Sequence, residues 1–101
     1  MSIRKEYPIS IEINGHKLSR VVIDQHYKDN HAESINDDLI LDLVKSIDGE
    51  TFAVDSKRGD FEYFVAEPVL NQERPYRLVM LLCIFDDYLG VINAFRVDRK
   101  D

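Results

Sequence analysis

The chain has 101 residues, 45% of them apolar and 32% charged, a composition that excludes a disordered or fibrous protein. This length suits a single domain spanning residues 1–101. The formal net charge of −6 opposes a general attraction to nucleic acid, although a local basic patch can still hold phosphate. The longest apolar run, residues 78–85, is too short to cross a bilayer, and the first residues do not form a signal peptide. We therefore expect a cytoplasmic protein without membrane association.

The first predicted elements are two strands, at residues 7–13 and 16–23. Ile9, Ile11 and Ile13 alternate with polar residues, and Asn14-Gly15 then supplies the residue types of a tight hairpin turn. Residues 24–33 are polar around a single aromatic residue, which predicts a short helix or an ordered loop.

The main helix is predicted over residues 35–48. Ser34 can cap its first turn, and acidic residues at 37 and 38 suit the positive end of the helix dipole. Gly49 is placed to end the helix. Its apolar residues recur at helical spacing and predict a face that packs on a sheet: Leu39, Ile40, Leu43, Val44 and Ile47.

The remaining chain predicts four strands. Residues 51–54 and 61–66 flank a turn at 55–60, and Pro68 with the polar residues 71–75 opens a loop. Strands at 76–85 and 91–97 follow, with the single cysteine, Cys83, as an unreactive core residue. This order predicts an α+β domain with a mostly antiparallel sheet of about six strands and one amphipathic helix packed on one face.

The chemistry-bearing residues do not form a familiar motif. Glycine-rich nucleotide loops, zinc-protease helices and serine-hydrolase turns are absent from the sequence. His26 and His31 are five residues apart, which misses the spacing that places two imidazoles on one helix face, so we expect neither a metal nor a cofactor.

Arg77 and Arg96 lie in the two closing strands, where each could form a salt bridge or bind a phosphate. If Phe85 pairs with Gly90, the two guanidinium groups share one face and can form a phosphate clamp. A slip of one residue places them on opposite faces.

The order of elements resembles the small bacterial RelE/BrnT-type ribonuclease toxins. The resemblance is carried by Asn30-His31, by Ser34-Ile35 at the helix start, and by a final strand running from Val91 to Arg96. It implies a metal-independent ribonuclease that cleaves single-stranded RNA, with residues 93–96 matching the terminal Ser-Ala-Arg element of the family. The pre-helix histidine of the family corresponds to His31. Those toxins are usually basic, and this chain has an extra hairpin at its start.

Cleavage at a 2′-hydroxyl needs a general base, a general acid and positive charge on the phosphorane. His31 or His26 would act as base or acid, and Arg77 and Arg96 would stabilise the charge. Three further side chains are candidates for contacting the RNA, the aromatic ones by stacking on a base: Tyr76, Tyr88 and Asn93.

Two other function classes remain open. The net charge favours an acidic immunity- or antitoxin-like protein that inhibits a basic partner, in which carboxylates imitate phosphates: Asp29, Glu33, Asp37, Asp38 and Asp42. The third possibility is an oligomerisation module in which an edge strand pairs with a second copy to form a homodimer. Composition does not separate the enzyme, whose partner is RNA or a cognate antitoxin, from the inhibitor.

Overall fold

In this computed structural model, residues 3–31 and 35–97 are described, with residues 30 and 31 described by their backbone alone. The elements in chain order are β1 (Arg4–Ile13), β2 (His16–Asp24), a 3₁₀ helix (Gln25–Tyr27), α1 (Lys28–His31), α2 (Asp37–Ser46), β3 (Ser56–Arg58), β4 (Phe61–Asn71), β5 (Arg74–Cys83) and β6 (Tyr88–Arg96).

The strands form one six-stranded sheet in the order β1-β2-β6-β5-β4-β3. The α+β class, the six strands and the single main helix are confirmed. The expectation of a mostly antiparallel sheet is wrong, because β2 and β6 pair in parallel and the sheet is mixed. Short loops identify which neighbouring strands form hairpins. They do not indicate whether a hairpin strand pairs in parallel or antiparallel with a strand far along the chain.

The first hairpin follows the prediction. Asn14 and Gly15 both have positive φ, at 52° and 78°, as the two central residues of a tight hairpin turn require. A second tight turn was not expected. Gln72 and Glu73 also have positive φ and join β4 directly to β5, where the composition predicted a loop.

Pro68 lies inside β4 rather than at its end. The pairing of β4 with β5 shifts register between Ala66 and Val69, and this irregularity accommodates a residue that cannot donate to the ladder.

The strand predicted at residues 51–54 is replaced by a three-residue strand, β3, further along the chain. Phe52 packs instead against the core, where its ring stacks on Phe64 with centroids 5.7 Å apart. Its backbone N–H donates to Asn14 Oδ1 at 2.6 Å, so the segment after α2 is fastened to the first hairpin turn.

α2 is shorter than predicted and begins at a different cap. Asn36 Oδ1 accepts a hydrogen bond from the backbone N–H of Leu39 at 2.8 Å, so Asn36 is the N-cap. Ser34, the expected cap, lies outside the described residues. The predicted apolar stripe is confirmed, since Ile40, Leu43 and Val44 are fully buried.

The core lies between α2 and one face of the sheet. Along β5 the buried residues Tyr76, Leu78, Met80 and Leu82 alternate with half-buried residues of the opposite face. That opposite face, here called the open face, carries no helix among the described residues. Cys83 lies on it, half-buried and paired in register with Phe61, so its predicted place in the core is wrong. The described helices are all too short or too polar to cross a membrane.

Candidate functional site

The predicted phosphate clamp does not form. Arg77 pairs in register with Phe95, and Arg96 pairs with Tyr76, so the two arginines project from opposite faces of the sheet. The pairing of Phe85 with Gly90 is wrong, because Leu81 takes that position opposite Gly90. The arginines lie on opposite faces, as a shifted register would place them, but the shift is larger than the slip of one residue considered from the sequence and includes an irregularity between Val79 and Met80.

Arg77 is engaged by its neighbours on the open face. Its Nε lies 3.4 Å from Glu67 Oε1, and its guanidinium carbon lies 5.5 Å from the centroid of the Phe95 ring. The salt-bridge interpretation of Arg77 is therefore the one that the structure shows.

The predicted RNA-contacting residues are separated by the fold. Tyr76 is only 4% exposed and belongs to the core, so it cannot stack on a base. Tyr88 is half-buried on the open face, beneath the guanidinium of Arg20 at 5.3 Å from the ring centroid. Asn93 is half-buried, and its Oδ1 accepts the backbone N–H of Ala94 at 2.9 Å.

The two candidate histidines differ in what can be said of them. His26 Nδ1 lies 2.9 Å from Asp24 Oδ1, an oxygen that also accepts the backbone N–H of His26. This contact fixes the ring beside the end of β2. The backbone of His31 belongs to α1, and its side chain lies outside the described residues.

The open face contains a hollow of about 410 Å³ above β2, β4, β5 and β6. Its wall is mostly apolar and aromatic, with one ion pair, Arg4 to Asp24 at 3.9 Å, at its edge. The lining residues are Arg4, Val22, Asp24, Phe61, Tyr63, Leu81, Tyr88, Gly90, Val91 and Ile92. A hollow of this kind suits apolar side chains of a ligand.

Gly90 sets the depth of the hollow. A Cβ atom at this position would lie 2.9 Å from Leu81 Cγ and 3.0 Å from its Cδ1. The absence of a side chain therefore leaves room for Leu81 to pack closely against the backbone of β6.

An acidic cluster, formed by Glu6, Asp86 and Asp87, adjoins the hollow at Tyr88. The Arg20 side chain over the Tyr88 ring reaches Glu6 at 3.2 Å, Asp86 at 2.9 Å and Asp87 at 3.3 Å. Three carboxylates thus surround one guanidinium, which leaves a net charge of −2 at neutral pH.

Hydrogen bonds favour the ionised form of Asp87 within the acidic cluster. The Ser19 hydroxyl donates to Asp87, and this bond, followed by contacts with Asp86 and Arg20, lowers the pKa of the Asp87 carboxyl. Bonds to Asp86 and Glu6 raise the pKa of Arg20 above its ordinary value, so its charge is permanent.

A second carboxylate centre lies on the other side of the sheet, at the start of α2. Asp37 Oδ2 accepts the Tyr7 hydroxyl at 2.5 Å, and its Oδ1 accepts the Tyr27 hydroxyl at 2.6 Å. Gln25 Nε2 donates to both oxygens at 3.2 Å. Burial raises the pKa of Asp37, but these bonds outweigh it and lower the pKa below its ordinary value. The hydrogen bond to Asp37, followed by burial, raises the pKa of Tyr7 to about 12.

This geometry corrects one part of the inhibitor hypothesis. Asp37 serves three internal donors, so it is not available to imitate a phosphate. Asp29, Asp38 and Asp42 are exposed, as that hypothesis expects, and Glu33 lies outside the described residues.

Sequence reasoning missed the acidic cluster and the hollow. Arg20 and Tyr88 come together only through the parallel pairing of β2 with β6, which places them in register. Asp86 and Asp87 lie between the two predicted closing strands, but local sequence does not indicate their partner on β2. The chain was also compared with protein-family models, with curated proteins and with solved structures, and no match was found.

Proposed function

We propose that this protein binds a basic protein partner through the open face of its sheet. The observation that carries the proposal is the position of the acidic cluster directly beside an apolar hollow. An apolar centre with charged groups at its rim is the usual composition of a protein–protein contact surface.

An exposed aromatic residue strengthens this assignment. Phe85 is 79% exposed and immediately precedes the two aspartates of the acidic cluster. Large exposed aromatic side chains contribute strongly to binding when a partner covers them. Phe61, which lines the hollow, is 37% exposed and extends the same apolar surface.

The charge of the chain supports a basic partner. The net charge of −6 and the −2 of the acidic cluster attract a cationic surface and steer its approach. The proposal therefore belongs to the inhibitor or binding-protein class.

A displayed library of random peptides tests the proposal without a known partner. We expect selection to enrich peptides that combine Lys or Arg with large apolar residues. Calorimetry should show binding that weakens about tenfold or more from ~0.1 M to ~1 M salt, because the screening length falls from about 10 to 3 Å. Enrichment of uncharged or acidic peptides, or salt-independent binding, would overturn the proposal.

Two matched variants locate the surface. Phe85→Ala should weaken binding of the enriched peptides at least about fivefold, within the range of exposed aromatic contacts. Leu70→Ala removes another exposed apolar side chain, 63% exposed, at the far end of β4, and should leave binding unchanged. Equal effects of both variants would mean that binding is not localised at the hollow and the acidic cluster.

Cleavage of single-stranded RNA is a second candidate function. The observation that favours it is the contact of His26 with Asp24, since Asp24 also lines the hollow and a carboxylate fixes the tautomer of an imidazole. Incubation of the protein with single-stranded RNA in a chelator should then release fragments, and His26→Ala should abolish the cleavage. Intact RNA at high protein excess would leave only the binding function.

A further inference from the structure

We propose that the partner presents a bulky apolar side chain next to a cationic one, and that the hollow holds the first while the acidic cluster holds the second. This inference rests on the proposed function and names the chemistry recognised at the same face. It identifies one recognition element, an apolar group carrying a neighbouring guanidinium or ammonium group.

The walls of the hollow select the apolar part. Val22, Leu81 and Ile92 are half-buried, so each leaves part of its apolar surface in water. Phe61 and Tyr63 stand in register with Cys83 and Leu81, and their rings close the side formed by β4. An entering apolar side chain would remove these surfaces from water, and apolar burial contributes about 25 cal/mol per Å².

The acidic cluster selects the cationic part. Arg20 neutralises one of three carboxylates, and the side chains of Glu6, Asp86 and Asp87 are 55%, 42% and 53% exposed. These carboxylate oxygens therefore remain reachable for a further cation. A second guanidinium group can donate two parallel hydrogen bonds to the two oxygens of one carboxylate.

Tyr88 places the apolar hollow and the acidic cluster next to each other. Its ring lines the hollow on one side and supports the guanidinium of Arg20 on the other, at 5.3 Å from the centroid. Since Arg20 contacts all three carboxylates, one aromatic ring separates the apolar pocket from the acidic cluster. The two groups of the ligand must therefore be neighbours.

Small probe molecules test the two parts separately. Benzylguanidine carries both groups, methylguanidine carries only the cation, and benzylurea carries the ring without the charge. We expect benzylguanidine to shift the backbone amide resonances of Gly90, Ile92 and Asp87 in nitrogen-15 NMR titrations. It should bind about tenfold tighter than either of the other two probes. Equal affinities for all three probes, or shifts confined to other surfaces, would overturn the inference.

Variants assign each part of the ligand to its subsite. Gly90→Ala adds a methyl group to the wall of the hollow and displaces Leu81, and should reduce the affinity of benzylguanidine to that of methylguanidine. Phe61→Ser opens the wall at a partly exposed position, and it provides the same test if Gly90→Ala fails to fold. Asp86→Asn with Asp87→Asn should reduce the affinity of benzylguanidine to that of benzylurea.

A charge-matched control excludes a general effect of net charge. Asp42→Asn with Glu50→Gln also removes two negative charges, but from exposed positions on the helix side. This double variant should leave benzylguanidine binding unchanged. If this control weakens binding as much as the change at Asp86 and Asp87, the acidic cluster is not the cation subsite.

The two proposals fail in distinguishable ways. If basic peptides bind with salt dependence but the three probes bind equally, the recognition element is wrong and the proposed function stands. If benzylguanidine binds as expected and the library yields no basic peptide, the hollow and the acidic cluster form a small-molecule site. That result would contradict the proposed binding of a basic protein.

Discussion

At the residue scale, the contacts of the Asp37 side chain differ from those that its neighbours in the sequence predict. The sequence predicts an exposed carboxylate at a helix start, and the structure keeps that helical position while turning the carboxylate towards Tyr7 and Tyr27. One phenol comes from β1 and the other from the 3₁₀ helix, so the contact joins three separate elements. Local sequence holds no information on which hydroxyl groups the fold will bring to a carboxylate.

Replacement of Asp37 by alanine should lower the free energy of unfolding by about 1–3 kcal/mol, because two phenols and an amide lose a half-buried charged acceptor. Urea denaturation at neutral pH measures the change. Asp42→Ala, at an exposed position of the same helix, serves as the control and should stay within about 0.5 kcal/mol of the unchanged protein. Equal stabilities of the two variants would contradict the role given to Asp37.

The stabilisation by Asp37 should depend on pH in a defined direction. Its pKa in the folded state lies below the ordinary value of 3.8, so the contribution is present above that value. The contribution is lost as the pH falls through the lower folded pKa. The stability difference between the unchanged protein and Asp37→Ala should therefore be constant from about pH 7 to 5 and shrink below about pH 4. A difference that grows on acidification would contradict this assignment.

At the scale of elements, the spacing of apolar residues predicts the helix and the first hairpin. It does not predict the turn between β4 and β5 or the register of β5 with β6. The apolar stripe of α2 and the Asn14-Gly15 turn follow directly from local residue types. The Gln72-Glu73 turn has positive φ at two residues that seldom adopt it, so composition predicted a loop there. The register of β5 with β6 depends on an irregularity between Val79 and Met80, which side-chain alternation alone cannot reveal.

The start of α2 offers a test at this scale. Asn36→Ala removes the acceptor of the Leu39 backbone N–H and should cost about 1 kcal/mol of unfolding free energy. Asn36→Asp keeps an acceptor in place and should retain the stability of the unchanged protein. Chemical denaturation followed by circular dichroism compares the two variants. A neutral Asn36→Ala change would mean that another group caps the helix.

At the scale of the whole molecule, the sheet depends on β6. This strand pairs with β2 on one side and with β5 on the other, and so joins the first hairpin to the strands that follow α2. Leu89 lies in β6, fully buried and in register with both Val21 and Leu82. The same long-range pairing assembles the hollow and the acidic cluster, which explains why the candidate site could not be predicted from local pattern.

Leu89→Ala should therefore destabilise the protein as a unit. We expect a loss of about 2–5 kcal/mol, because the change leaves a cavity in the middle of the sheet. Far- and near-ultraviolet circular dichroism should report one coincident transition in both proteins. Leu70→Ala, at a side chain that is 63% exposed, should change stability by no more than about 0.5 kcal/mol. Separate transitions for helix and tertiary signals would contradict a single cooperative unit.

The central position of β6 has a further consequence for how the chain acquires its shape during synthesis on the ribosome. The first hairpin and the strands β3 to β5 emerge earlier than β6, and until it arrives β2 and β5 each present an unpaired edge. A chain from which β2 and β5 have emerged before β6 is therefore the one most exposed to pairing with other chains. A chaperone that recognises extended strands would act on this protein in the interval before β6 pairs.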